Sequence, residues 1–354
     1  MTRNNDNQWL NRFAVATAMA TLVLIGLGGL VTSHGVGMAV PDWPTTYGYN
    51  MFLFPISQWV GGIFYEHTHR LVASGVGLLT TILAVWLWLK EERSWLRWLG
   101  VLAFFLVVLQ GVLGGLRVTL HRNELGIVHG TLAQLFLVLV CAMALFTSRA
   151  WQRLASMRLP APKPWSTRAL FVVATGMILF QLILGATMRH QHAGLAVPDF
   201  PLAYGKLWPP MDEASLAVIN QGRVDARDFG PVTAFQIGLH MAHRLGAVLI
   251  LFAVGFSALN LERQAGRTAP LTKLAWSWLA LICLQGILGA ATVWSNKAAD
   301  VATAHVVLGS LSLAMGALLA IMLFRCRLGN QEAPAAVGSA PAGSSLSVPA
   351  PTAS

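Results

Sequence analysis

Four histidines stand where this sequence can do chemistry. His69, His129, His243 and His305 each fall inside a long apolar run. An ionisable side chain at such a depth is costly and marks a functional site by default. Neutral imidazole is a good iron ligand, and a bis-imidazole iron porphyrin needs one ring from each side of the macrocycle. The natural pairs are His69 with His129 and His243 with His305. Zinc or copper would ask for a tighter cluster with further ligands. A lone helical histidine is more often a hydrogen-bonded core residue, so the weight rests on four of them at matched positions.

The surroundings suit a large flat group. Odd-numbered runs close in small residues, Gly28-Gly29, Gly114-Gly115, Gly185-Ala186 and Gly289-Ala290, which let a helix or a porphyrin face come close. Gln110, Gln181 and Gln285 stand one turn before three of these pairs. They either orient the ligand imidazoles or bond from helix to helix. Arg70 and Arg244 each follow a ligand candidate. Their guanidinium groups can hold heme propionates at the membrane boundary, or snorkel to lipid phosphate.

Glu66 breaks the pattern. It lies three residues before His69 on the same helical face, where the second half carries His240. A carboxylate at the edge of hydrocarbon can move protons or stabilise positive charge in a transition state. Its competing use is a salt bridge to Arg70, four residues on. The halves then differ in role: the first does chemistry and the second holds a cofactor. His34, His121, His190 and His192 fall in outer loops and His67 points off the His69 face; solvated histidines are the default for these five, with a role near the heme edges as the alternative.

The elements that must position these groups are eight apolar runs, at about 13–33, 66–89, 95–116, 125–147, 169–187, 235–258, 273–294 and 301–324. Each is long enough for a helix to cross roughly 30 Å of hydrocarbon. Only 11% of the residues are charged, against about 25% in soluble domains, so lipid is the solvent. The net charge of +10 does not point to nucleic acid, because no compact basic domain carries it. Fifteen of the 24 Lys and Arg residues, among them Arg3, Arg93, Arg153, Lys163, Arg263 and Arg325, fall at one side of the runs. The positive-inside rule puts that side and both termini in the cytoplasm, in a plasma membrane, with the histidines near the outer face. Cys141, Cys283 and Cys326 form no metal or redox pattern.

The chain also repeats. Val40-Pro-Asp-Trp-Pro44 returns as Val197-Pro-Asp-Phe-Pro201, each followed by a Tyr-Gly pair. Leu109-Gln-Gly-Val-Leu-Gly114 returns as Leu284-Gln-Gly-Ile-Leu-Gly289, His69-Arg70 as His243-Arg244, and His129 as His305. Four helices separate equivalent residues, so the repeat is parallel. The expected fold is all-α: a polytopic membrane protein of eight transmembrane helices in two four-helix bundles. Residues 1–12 form a cytoplasmic N-terminus, 13–147 the first half, 148–168 a cytoplasmic linker, 169–325 the second half and 326–354 a disordered tail. The second half carries an insertion of about 17 residues around Pro209 to Pro231, in the loop between its first two helices.

With Glu66-x-x-His69-Arg70, His129, His243-Arg244 and His305 in this order on eight helices, the sequence resembles the heme A synthase family over about residues 13–325. The resemblance implies oxidation of the C8 methyl of heme O to a formyl group, through two hydroxylations and loss of water, with heme b as cofactor and electron relay. It matches His69 and His129 to the substrate-heme iron, with Glu66 at the reacting edge, and His243 and His305 to the heme b iron. The implied partners are heme O, heme O synthase as its source, an unidentified electron partner, the bilayer and a second copy of the chain. One branch of the family carries a cysteine pair in outer loops; this chain has no cysteine there, so electrons must take another route. The Pro-Asp-Trp-Pro and Pro-Asp-Phe-Pro loops also depart from the family's commoner ones. Two other readings of the histidines remain open: a di-heme electron carrier of cytochrome b type, and a heme transporter or chaperone without chemistry.

Overall fold

The computed structural model describes residues 8–122, 124–159, 166–222 and 230–328. Eight long helices carry the apolar runs: α1 (Gln8–Ser33), α2 (Gly61–Lys90), α3 (Ser94–Thr119), α4 (Glu124–Phe146), α6 (Thr167–His190), α8 (Ala234–Ala265), α9 (Pro270–Trp294) and α10 (Ala299–Arg325). Each is long and apolar enough to span a bilayer. Helix is what such sequences must form in hydrocarbon, where no water can satisfy the backbone polar groups. Two short helices, α5 (Arg149–Leu154) and α7 (Glu213–Gln221), lie between them. The amino-terminal Arg3, Lys163 and the tail beyond Leu328 lie outside the described residues.

Several helices run past the apolar segments that nucleate them. α2 begins at Gly61 rather than near residue 66, and α8 continues to Ala265 instead of ending near residue 258. The extra turns of α8 are polar because they leave the hydrocarbon, and Asn260 uses its amide there to donate to Thr167 Oγ1 at 2.9 Å. Chemistry at the ends is ordinary: Thr233 and Gln236 form a capping box on α8, and Pro270 opens α9.

In the first half α1 packs on α2, α2 on α3, α3 on α4, and α4 closes the ring on α1; α6, α8, α9 and α10 form a second ring in the same order. The halves meet where α1 and α4 pack on α10 and α4 packs on α6. Each ring has its own apolar core, around Leu83, Leu87, Val140 and Met143 in one and Phe171, Val254, Trp278 and Leu319 in the other. Away from the histidines, Arg158–Leu159 pairs as a short parallel strand with Arg327–Leu328, tying the linker to the end of α10.

The repeat extends to the loop geometry. Tyr47 N and Gly48 N donate to the two carboxylate oxygens of Asp42, at 2.7 and 2.8 Å; Tyr204 N and Gly205 N do the same to Asp199, at 2.7 and 2.9 Å. Tyr47 Oη donates to Ala39 O and Tyr204 Oη to Ala196 O, both at 2.5 Å. Both tyrosines sit in the left-handed region, with φ of 49° and 54°. Burial works against the charged form of Asp42, but the bonds from Gly48, Thr45 and Tyr47 outweigh it and hold the carboxyl below its usual range. The halves differ around this common loop. The first half inserts two 3-10 turns, Met51–Leu53 and Ile56–Gln58, and the second inserts α7, whose Asn220 is clasped by Val232 through two hydrogen bonds.

Candidate functional site

Each of the four histidines seats its ring in a glycine of the odd-positioned helix beside it. A Cβ on Gly28 would lie 3.1 Å from His69 Cε1, one on Gly114 3.4 Å from His129 Cε1, and one on Gly185 or Gly289 3.2 Å from Cε1 of His243 or His305. The first small residue of each pair therefore receives the imidazole itself. Nδ1 of all four rings is buried, and the rings of His69, His129 and His305 lie against the backbone of Leu24, Gln110 and Gln285, the residues one turn before the receiving glycines.

The second-half pair has the spacing an axial pair requires. The His243 and His305 ring centroids are 6.5 Å apart with ring planes at 66°. A metal–nitrogen bond of roughly 2 Å on each side, plus the distance from nitrogen to ring centre, sets two axial imidazoles about 6.3 Å apart. His69 and His129 lie within electrostatic reach of each other across the first ring. Among the described residues no three His, Cys, Asp or Glu side chains converge, so the candidate centres are two-ligand sites. The residues present fit an iron porphyrin in each half.

Glutamines brace three of the four. Gln110 Nε2 donates to the carbonyl of His129 at 3.2 Å, Gln181 Nε2 to that of His243 at 2.7 Å, and Gln285 Nε2 to that of His305 at 2.8 Å. They bond from helix to helix, and the backbone they grip is that of the candidate ligand residue. Leu24 occupies the matching place opposite His69, so His69 alone has no such brace. The apparent strength of one interhelical bond in a membrane is about 0.6 kcal/mol. Leu24→Gln should therefore slow release of heme from the first half about threefold, measured as transfer to apomyoglobin; an unchanged rate would show the missing brace to be incidental. Gly185→Val should weaken heme retention in the second half by about tenfold or more, because overpacking beside His243 costs roughly 1–3 kcal/mol. Heme remaining after a fixed wash would measure it, with Gly176→Val, which meets nothing within 4 Å, as the control.

Above the rings the two halves use one scheme with different residues. Glu66 is 4% exposed; its Oε2 accepts from Val40 N at 2.9 Å and its Oε1 from Arg70 Nη2 at 2.8 Å. His240, also 4% exposed, accepts from Val197 N on Nδ1 at 3.3 Å. Arg70 further donates to the carbonyls of Val40, Asp42 and Thr45, and Arg244 to those of Val197, Asp199 and Leu202. Both arginines thus hold the repeated loop down on the ring. The salt bridge of Glu66 to Arg70 is present, and it leaves the carboxylate beside His69 fixed rather than free.

The chain matches the cytochrome oxidase assembly protein family, COX15-CtaA, over residues 51–317. The chain belongs to that family. Among its relatives is a heme A synthase of Geobacillus kaustophilus, 27% identical over 335 residues that cover 90% of this chain and 92% of the relative. Another, of Alkalihalophilus pseudofirmus, is 27% identical over 85% of this chain and 93% of the relative. A third, of Shouchella clausii, is 28% identical over 68% and 72%. The motif resemblance to heme A synthases and the eight-helix architecture thus agree with the family match.

For a member of this family the sequence reading left several residues unexplained. His190 is not in an outer loop: it ends α6, half-buried, with its ring against Gly126 so closely that a Cβ there would collide. His67 is fully buried, with Nδ1 3.2 Å from Thr46 Oγ1 and its ring against Phe54 and Trp59 at 5.0 and 4.8 Å, so it anchors the first-half loop. His34 stacks on Tyr65 at 4.4 Å. Arg117 and Arg189, one turn beyond the glycines, lie within electrostatic reach of His69 and His305 respectively. Their signal in the sequence was position: each is a cation in the last turn of a span where its repeat mate is a threonine, Thr292 or Thr32.

Proposed function

We propose that this chain is a heme A synthase, which converts the C8 methyl of heme O to a formyl group by successive hydroxylations and loss of water from the resulting diol. The observation that carries the reading is the pair of histidine sites built alike in the two halves, with a carboxylate beside only one of them. His69 and His129 hold the iron of heme O in the first half. His243 and His305 hold heme b in the second half, and heme b supplies one-electron chemistry when bound. Glu66, pinned between Arg70 and Val40 N, stabilises positive charge at the reacting carbon or takes its proton. Arg70 and Arg244 act on the hemes through the loops they hold over each ring. The buried loop anchors, His67 among them, keep water from the substrate edge.

Both termini face the cytoplasm in this reading, and the heme sites lie near the outer face of the plasma membrane. Heme O synthase is the natural source of the substrate. Each hydroxylation is a two-electron oxidation of the methyl carbon, so an electron acceptor must take up four electrons in all, by a route that does not use an outer-loop cysteine pair. A homo-oligomer is compatible with the lipid-facing surface. The likeness of the four histidine–glycine contacts also favours a second reading, two equivalent electron-carrying hemes with no chemistry on either. One experiment separates them: pigments are extracted from membranes expressing the chain with and without heme O supply, and weighed. Hydroxylated or formylated heme that depends on heme O supports the enzyme. Chemically unchanged heme in both halves would support the carrier instead.

A further inference from the structure

We propose that the seam between the two halves is a carboxylate-binding site, formed by Arg117, Arg189 and Lys297, which takes the propionates of the hemes on either side. The proposal rests on the reading that each half holds a heme. It concerns residues that lie outside the repeated scheme, since Arg117 and Arg189 have threonines as their repeat mates.

Arg117 lies in the last turn of α3 and is half-buried. Its two Nη atoms would each lie 2.9 Å from a Cβ on Gly37, which places the guanidinium under the first-half loop. Its Nε is buried without a partner. It lies within electrostatic reach of Glu66, His69 and His129. Arg189, in the last turn of α6, crosses the seam: one Nη donates to Gly29 O and to Ser33 Oγ of α1, both at 2.5 Å. Its Nε is likewise buried and unpartnered, and it lies within reach of His305 and Arg117. Lys297, in the turn between α9 and α10, completes the group. Burial first, and then the Arg189 guanidinium, hold its ammonium below its ordinary range.

Three cations thus gather in a partly desolvated seam. The carboxylate in reach, Glu66, already has both oxygens engaged by Arg70 and Val40 N. Among the described residues no salt bridge involves Arg117, Arg189 or Lys297. Like charges held together out of water repel strongly and persist where an anion joins them. A guanidinium offers donors in a fork that matches a carboxylate. Arg117 reaches the first-half histidines and Arg189 a second-half histidine, so oxyanions between them come from groups bound in both rings. A lipid phosphate could supply the same chemistry from the membrane surface, and the test separates the two sources.

The full chain is reconstituted in lipid nanodiscs with heme b or with its dimethyl ester, and heme transfer to apomyoglobin is timed. Wild-type protein should release the ester about tenfold or more faster than the free acid, the worth of one or two charged hydrogen bonds. Arg189→Gln should speed release of the free acid by about tenfold and leave release of the ester unchanged; Arg189→Lys should recover part of the loss. Arg117→Gln should do the same for first-half heme, and each Gln variant should shift its heme's midpoint potential downward, since a cation beside the porphyrin is gone. Equal retention of acid and ester by wild-type protein overturns the site while leaving the heme reading intact. An effect of the substitutions that appears only with anionic lipid, and equally for acid and ester, assigns the cations to lipid headgroups and also overturns it. Wild-type protein that takes up neither pigment overturns the heme reading, and the site falls with it.

Discussion

A Glu66→His chain should fold, bind heme in both halves and form no detectable heme A. The second half already shows that histidine can stand at this position. His240 takes the N–H of Val197 just as Glu66 takes that of Val40. Arg244 meanwhile holds its loop through three backbone carbonyls, and among the described residues it forms no salt bridge. Arg70 has the same three-carbonyl grip on Val40, Asp42 and Thr45. The substitution therefore keeps an acceptor for Val40 N and the three-carbonyl grip of Arg70, and removes the negative charge beside His69 together with its ion pair to Arg70. If that charge stabilises a cationic centre on the substrate or accepts its proton, conversion should fall by about a hundredfold or more. The measurement is the mass of extracted hemes, alongside the visible spectrum as a check on binding. Heme A at wild-type levels would show that Glu66 serves only to hold the loop. Glu66→Ala is the less informative change, because it also leaves Val40 N without an acceptor.

The second large effect concerns the cofactor half. His305→Ala or His243→Ala should remove the heme of α8 and α10, with loss of about half the extractable heme. The 6.5 Å separation of these rings means that neither can take the other's place, since each reaches the space between them from its own helix. His69 and His129 belong to the other ring of helices, so substrate heme should still bind. It should not be converted, because the route for electrons is gone. A visible spectrum unaltered by both substitutions would falsify the axial pairing.

Much of this was legible in the chain alone. The apolar runs determined that the protein spans lipid as helices, because hydrocarbon leaves the backbone no other way to satisfy itself. The repeated motifs paired His69 with His243 and His129 with His305, and exposed Glu66 as the residue without a match. The helix ends were less legible: α2 and α8 run on beyond their apolar segments into the interface, where polarity no longer reports the end of a helix.

What the tertiary structure decided is who touches whom between helices distant in sequence. A pattern of glycines says that something approaches closely, but only packing shows that the approaching group is an imidazole edge in all four places. Gln110, Gln181 and Gln285 could have faced either the rings or a backbone; the fold turned them to the histidine carbonyls. His190 falls in an outer loop by sequence, and is half-buried because α4 lies against the end of α6. Arg117 and Arg189 could not be singled out as a pair at all, since 72 residues separate them and only the docking of the two halves brings their charges together. Sequence patterns report the solvent each residue must face; they do not report which neighbour fills the remaining side, and that is where the charges and ligands of this protein meet.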